Sequence, residues 1–144
     1  MKKRYLNWIL VLIWMFIIFI FSSQTGESSN QNNRLVVQIL EYIGLDITGH
    51  IGDATNFIIR KAAHFTEYLI LYLLLYKAFA ESRGKKKSLW ISLLCVFAYA
   101  CTDEFHQAFV PQRVPSFRDV MIDTGGGILG MIIKCWSNIR RKYR

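Results

Sequence analysis

Residues 99–130, YACTDEFHQAFVPQRVPSFRDVMIDTGGGILG, decide the fold. The stretch begins as one apolar helix, turns between Pro111 and Pro115, and continues as a second apolar helix. It nevertheless carries five acidic or imidazole side chains, which are Asp103, Glu104, His106, Asp119 and Asp123. A charged side chain deep in a lipid bilayer costs roughly 2.5 to 3.5 kcal/mol, so we expect a specific reason for each of these charges.

The composition indicates a single membrane domain that covers residues 1–144. Of the 144 residues, 53% are hydrophobic, and the mean hydropathy is +0.25. The net charge of +8 does not indicate a nucleic-acid partner, because the Lys and Arg residues lie mainly between and after apolar runs and no nucleic-acid-binding motif is present. The three cysteines lie in apolar segments without a C-x-x-C pair and predict neither a zinc site nor a disulfide framework.

The apolar runs predict an all-α integral membrane protein with four transmembrane helices. The predicted spans cover approximately residues 5–22, 56–80, 89–110 and 117–137. A cleaved signal peptide is the alternative for the first span, but Phe21–Gln24 places bulky or polar residues where a cleavage site has small ones. In the first outer loop, residues 23–55, apolar side chains recur at helical spacing between 31 and 44. They predict a short amphipathic helix that lies either on the membrane surface or against the bundle.

Local signals predict where the helices begin and end. Asp53 can cap the second helix, and Glu81–Lys87, ESRGKKK, is predicted as a tight basic loop after it. Ser88 is then the predicted cap of the third helix. Ser116, with Asp119 three residues later, resembles a capping box at the start of the fourth helix.

The positive charges predict how the four spans are oriented. Most of the 18 Lys and Arg residues lie at the N-terminus, between the second and third helices, and at the C-terminus. The positive-inside rule therefore places both termini in the cytoplasm. Trp8, Trp90 and Trp136 fall at the cytoplasmic ends of the spans and agree with an aromatic belt there.

With this topology, polar side chains from three helices meet in the outer third of the bilayer. On the fourth helix, Asp123 shares a face with Gly126 and Gly130, and a G-x-x-x-G face packs closely against another helix. The acidic face must therefore point into the bundle. The predicted pocket is lined by His64, Glu67, Asp103, His106 and Asp123. Its predicted rim consists of Arg60, Lys61, Arg113 and Arg118.

Short sequence blocks stand at the same ends of the predicted helices. They are FSSQ at 21–24, RKAAHFTEY at 60–68, TDEFHQ at 102–107 with FVP at 109–111 and Arg113, and DV at 119–120 leading to Asp123 and the glycines. Together, and in this order, they resemble the VanZ family, small bacterial membrane proteins linked to resistance to teicoplanin-type glycopeptide antibiotics. The resemblance implies a four-helix fold in the bacterial plasma membrane and a role in the cell envelope, but no reaction. In that family a Gly often stands at position 112 and an Asn at position 123.

Two interpretations of the pocket involve no catalysis. It can bind the head group of an envelope lipid or of a lipid-linked cell-wall precursor and so lower susceptibility to glycopeptides. The residues for such binding are Gln24, Arg60, Lys61, Gln107, Arg113, Arg118 and Asp119. Alternatively, the buried charges are structural and only neutralise one another. The pairs expected in that case are His64 with Glu67, and Arg60 or Arg113 with Asp103 or Asp119.

The third interpretation is an enzyme that modifies an envelope lipid or precursor. A histidine would act as general base near pH 7, a carboxylate would orient it, and an arginine would stabilise developing phosphate charge. The candidate catalytic residues are His64, Glu67, Asp103, His106 and Asp123. No metal ligands are assigned, although a magnesium or calcium ion held by the carboxylates is a variant of this interpretation. The oligomeric state stays open, because the glycines can serve contacts within one chain or between two.

Overall fold

The computed structural model describes residues 2–25, 36–39, 42 and 55–140. This part of the chain is all-helical, as predicted, and contains no strand. Its four long helices are α1 (Lys2–Ser22), α2 (Thr55–Arg83), α3 (Lys85–Gln107) and α4 (Phe117–Arg140). Residues 36–39 and Tyr42 are also helical and fall within the predicted amphipathic helix. The rest of that segment and the predicted cap Asp53 lie outside the described residues.

The four long helices form an antiparallel bundle in which α2 packs against the other three. The Trp8 ring meets the Phe79 ring edge-on, with centroids 5.0 Å apart, and the Trp14 indole N–H donates to the carbonyl oxygen of Glu67 at 2.9 Å. Because the earlier residue of α1, Trp8, meets the later residue of α2, Phe79, these contacts show that α1 runs antiparallel to α2. The central position of α2 explains its large share of the buried core, which includes Tyr68, Leu71, Tyr72, Leu75, Tyr76 and Ala78.

Glycines of α4 bring that helix unusually close to α2. A Cβ atom at Gly126 would overlap the carbonyl oxygen of Phe65, and one at Gly130 would lie 2.6 Å from Cδ1 of Tyr72. Gly127 faces α3 instead, where a Cβ would lie 2.8 Å from Cγ1 of Val96. The G-x-x-x-G face of α4 is therefore used for packing within one chain.

The connection between α2 and α3 is shorter than the sequence predicts. The predicted loop Glu81–Lys87 is wrong, because α2 continues to Arg83 and α3 begins at Lys85. Lys, Glu and Arg are good helix formers, so α2 and α3 extend through these charged residues. Gly84 alone makes the turn, with a φ of 74° that suits glycine. The predicted cap at Ser88 is also wrong, since its hydroxyl donates to the Gly84 carbonyl at 2.7 Å from inside α3.

The connection between α3 and α4 is held by polar contacts at both of its ends. α3 ends at Gln107, slightly earlier than predicted, and Gln112 then adopts a φ of 61°. Ser116 caps α4, because its hydroxyl accepts a hydrogen bond from the Arg118 N–H at 3.2 Å. The reciprocal half of the predicted capping box is wrong: the Ser116 N–H donates to Oε1 of Glu104 at 3.0 Å and not to Asp119.

Two of the four helices have the length and hydropathy of membrane spans. Residues Arg4–Ser22 have a mean hydropathy of 2.3, and α3 has a mean hydropathy of 1.3. Both helices expose large apolar side chains, including Leu12 and Phe16 at 63% and Trp90 and Leu94 at 67%. An apolar surface of this extent indicates contact with lipid or with a partner. A membrane crossing by α2 and α4 remains a prediction.

The bundle has a Gly84 end and a Pro111 end, and the predicted site residues lie toward the second. At the Gly84 end, α1 and α3 begin and α2 and α4 end. At the Pro111 end, α1 and α3 end and α2 and α4 begin. All of the predicted site residues lie toward the Pro111 end, because they fall just after α1, in the half of α2 or α4 nearest its start, in the last turns of α3, or in the α3–α4 connection.

Candidate functional site

A polar pocket of about 330 Å³ lies at the Pro111 end, between the start of α2, the α3–α4 connection and the start of α4. Eight of its lining residues belong to the predicted site. They are Arg60, Lys61, His64, Gln107, Arg113, Arg118, Asp119 and Asp123. The structure therefore brings together side chains from α2, α3, α4 and the connection around one space.

The cations of the pocket outnumber its carboxylates. Within the described residues, Lys61 has a carboxylate partner, Oδ2 of Asp119 at 2.5 Å, whereas none of the three arginines lies within ion-pair distance of a carboxylate. Arg113 donates from Nε to the backbone carbonyl of Gln24 at 3.2 Å. Burial is the largest cause that lowers the pKa of Arg113 from its ordinary value, and the nearby Arg60 lowers it further. Four cationic side chains and two carboxylates thus line the pocket, while two further carboxylates, those of Glu67 and Asp103, adjoin its lining.

The floor of the pocket combines one residue from each of three helices. His64 of α2, Asp103 of α3 and Asp123 of α4 each place a ligand-type atom within 4.8 Å of the other two. Both Asp residues are 4% exposed. Glu67 lies beside them, with Oε2 at 3.6 Å from Nδ1 of His64. The four groups converge as the helical stripes predict.

Hydrogen bonding in the floor is incomplete. Oδ2 of Asp103 accepts a bond from the Gln107 amide at 3.3 Å, one turn along α3, while Oδ1 of Asp103 has no partner among the described residues. The hydroxyls of Ser22 and Tyr68 lie near this carboxylate, but neither makes a hydrogen bond with good geometry. The Nδ1 atom of His64 also lacks a hydrogen-bond partner within the described chain.

The charge pairs expected from a purely structural pocket are only partly present. His64 and Glu67 do approach each other. The predicted pairing of Arg60 or Arg113 with Asp103 or Asp119 is wrong, because Asp119 pairs with Lys61 and no Lys or Arg described lies within ion-pair distance of Asp103. Asp123 likewise has no such cation beside it among the described side chains.

Four predicted site residues do not line the pocket. Asp103 and Glu67 lie behind His64 in the floor. His106 packs its ring against Phe19, with centroids 4.6 Å apart. Gln24 takes part through its backbone carbonyl, which holds the Arg113 side chain.

The structure adds residues that sequence reasoning missed. Phe57, Gln112, Val114 and Ser116 also line the pocket. Phe57 lies one turn before Lys61, and the Nζ atom of Lys61 is 5.2 Å from the centre of the Phe57 ring. This i,i+4 spacing in the sequence could have predicted that Phe57 lies beside Lys61 at the pocket. Glu104 fixes the connection through its bond to Ser116, a contact that depends on the path of the loop and leaves no signal in the sequence.

The described residues form a small helical bundle of four antiparallel helices around a polar pocket at one end, and two of these helices have the length and hydropathy of membrane spans. The chain belongs to the VanZ/LLP1 family, whose model matches residues 7–138. The match covers all four long helices except the ends of α1 and α4. No curated protein and no solved structure matches the chain.

Proposed function

We propose that the protein is a multi-pass protein of the bacterial plasma membrane, with four spans, both termini in the cytoplasm and the Pro111 end facing outward. Membership of the VanZ/LLP1 family and the two apolar helices support a membrane location. The concentration of Lys and Arg at the Gly84 end and at both termini supports the orientation. On this topology the pocket opens near the outer surface of the bilayer.

We further propose that the pocket binds the anionic head group of an envelope lipid or of a lipid-linked cell-wall precursor. The observation that carries this proposal is that Arg60, Arg113 and Arg118 surround one cavity and that none of them lies within ion-pair distance of a carboxylate of the described residues. Guanidinium groups bind phosphate in a bidentate manner, and the two sources share that phosphate chemistry. Gln107 supplies an amide for sugar or peptide groups.

Binding of this kind lowers susceptibility to glycopeptides on our proposal. A precursor or lipid whose head group is held in the pocket is less available to an antibiotic that binds at the outer surface. The bound group need not be altered chemically, so the proposal requires no catalytic step.

The proposal can be tested with protein purified in zwitterionic nanodiscs. Binding of phosphatidylglycerol and of a polyprenyl diphosphate is measured by native mass spectrometry, which distinguishes the two sources. Replacing Arg60, Arg113 or Arg118 by Gln should weaken binding by about 10- to 150-fold each, because a charge-assisted hydrogen bond contributes roughly 1.5 to 3 kcal/mol. Arg83→Gln is the matched control, since Arg83 is exposed at the Gly84 end. Equal binding by wild type and the triple Arg variant would overturn the proposal.

A second candidate function is a membrane-embedded enzyme that modifies such a head group. The contact that favours it is the 3.6 Å approach of Glu67 to His64, because a carboxylate beside an imidazole at the wall of a pocket can orient a general base. The test is to extract lipids and wall precursors from cells with and without the protein. A modified species that disappears in His64→Gln cells would support the enzyme, and an unchanged inventory would support binding alone.

A further inference from the structure

The floor of the pocket has the composition of a metal site. α2, α3 and α4 contribute one ligand-type side chain each, namely the imidazole of His64 and the carboxylates of Asp103 and Asp123. The ligand atoms lie within 4.8 Å of one another. Ligands that share one ion at about 2.1 Å stand about 3 to 4 Å apart, so small side-chain movements suffice to close the set.

The burial of these groups calls for a cation. Asp103 and Asp123 are both 4% exposed, and no Lys or Arg of the described chain lies within ion-pair distance of either. One oxygen of Asp103 and the Nδ1 atom of His64 have no hydrogen-bond partner among the described residues. Buried carboxylates are ordinarily paired with a cation or bound to a metal, and orphaned buried polar atoms are rare. Two of the eight buried side-chain atoms without a partner among the described residues therefore belong to the cluster, and a third, Oε2 of Glu67, lies 3.6 Å from His64.

We propose that His64, Asp103 and Asp123 bind one divalent transition-metal ion, zinc or manganese. The donor set is one nitrogen and two carboxylate groups, without sulfur. An imidazole donor suits zinc and related transition metals, and carboxylates suit manganese and also zinc. Magnesium and calcium take oxygen ligands almost exclusively, which makes them the poorer fit. Three protein ligands leave the remaining coordination positions of the ion open.

The open positions face the pocket. His64 and Asp123 line the pocket and Asp103 does not, so an ion held by these three side chains would lie at the wall of the pocket and would be open to it. A phosphate oxygen that enters among Arg60, Arg113 and Arg118 can occupy such a position. This role toward phosphate rests on the proposed function, whereas the binding of the ion does not.

The site is tested by metal loading of the full-length protein. The protein is purified through a tag without histidines, treated with EDTA, dialysed, and exposed separately to Zn²⁺, Mn²⁺ and Mg²⁺. The bound metal is counted by plasma mass spectrometry, and thermal unfolding is followed in parallel. We expect one Zn²⁺ or Mn²⁺ per chain, a rise in unfolding temperature with that ion, and neither effect with Mg²⁺.

Three variants, His64→Gln, Asp103→Asn and Asp123→Asn, should each lower the affinity for the ion at least tenfold and abolish the temperature rise. His106→Gln is the matched imidazole control, because its ring packs on Phe19, and Glu81→Gln, at the Gly84 end, is the carboxylate control. Without metal, the two Asn variants should unfold no earlier than wild type, since each removes a buried carboxylate that lacks a cation. This comparison separates loss of the site from loss of the fold.

Either of two results would overturn the metal site: no stoichiometric binding of zinc or manganese, or equal binding by wild type and the three cluster variants. Lipid binding measured in EDTA keeps this outcome distinct from the proposed function. Head-group binding that persists in EDTA in a protein that takes up no metal removes only the ion. Metal binding in a protein that holds no anionic head group removes only the lipid.

Discussion

Trp14 joins α1 to the part of α2 that carries the floor of the pocket. Its indole N–H reaches from α1 to the backbone carbonyl of Glu67 at 2.9 Å, in the same turn of α2 that carries His64. Since Trp14 is partly buried and this carbonyl is the partner of its N–H among the described residues, the bond helps to set how α1 docks beside the site. Trp14 does not line the pocket, but it contacts the turn of α2 that carries His64, which does.

Replacing Trp14 by Phe should destabilise the protein by about 0.5 to 1.5 kcal/mol, because the ring remains but one cross-helix hydrogen bond is lost. The measurement is reversible unfolding in mixed micelles. Trp90→Phe is the control, since Trp90 is 67% exposed and should change the free energy of unfolding by less than about 0.5 kcal/mol. Equal effects of the two substitutions would show that the bond to Glu67 does not stabilise the docking of α1.

Contacts between residues could be predicted only where both partners lie on one helix. The approach of His64 to Glu67 and the bond of Gln107 to Asp103 follow from i,i+3 and i,i+4 spacing. The pair of Lys61 with Asp119 joins the starts of two helices that are far apart in the sequence. The sequence predicts that cations and carboxylates share the pocket. Which cation forms an ion pair with Asp119 depends on the distances between side chains in the folded structure.

At the scale of the helix, the glycines of α4 determine how near its acidic face comes to α2. Gly126 rests on the backbone of Phe65, one residue after His64, and Asp123 lies one turn before Gly126. The distance between His64 and Asp123 therefore depends on the absence of a side chain at Gly126. Helix packing and site geometry are coupled through this one contact.

Gly126→Ala should push α4 away from α2 and cost about 1 to 3 kcal/mol, because the added Cβ meets backbone that cannot rotate aside. It should also weaken every ligand that depends on His64 and Asp123 together. Gly125→Ala is the control, since its Cβ would meet only the Phe65 side chain, at 3.4 Å. Thermal unfolding of both variants is the measurement. Equal stability of the two would contradict a backbone contact at Gly126.

The helices themselves were predictable because long apolar runs separated by polar segments leave little choice of secondary structure. The turn at Gly84 was not. ESRGKKK has the composition of a loop, yet its residues propagate helix well, and one glycine suffices to reverse the chain. The start of α4 was predicted at Ser116, but its second partner, Glu104, comes from another helix.

Across the whole molecule, acidic and imidazole groups gather at the Pro111 end, and basic loops and termini gather at the Gly84 end. This division predicts the orientation in the membrane. In a variant whose native cysteines are replaced by Ala, Val114→Cys should react with a membrane-impermeant maleimide in intact cells, because Val114 is 85% exposed at the Pro111 end. Ser82→Cys should react only after permeabilisation. The reverse pattern would place the pocket in the cytoplasm.

The single-glycine joint between α2 and α3 has a consequence for biogenesis. On the proposed topology, α2 and α3 emerge from the ribosome as one helical hairpin. The apolar α3 can then promote membrane insertion of α2, although the first half of α2 carries Arg60, Lys61 and Glu67. The residues of α2 and α3 that line the pocket are then in place before α4 is synthesised. α4 follows with Asp119 and Asp123, so the site is complete only after α4 has packed against α2 and α3.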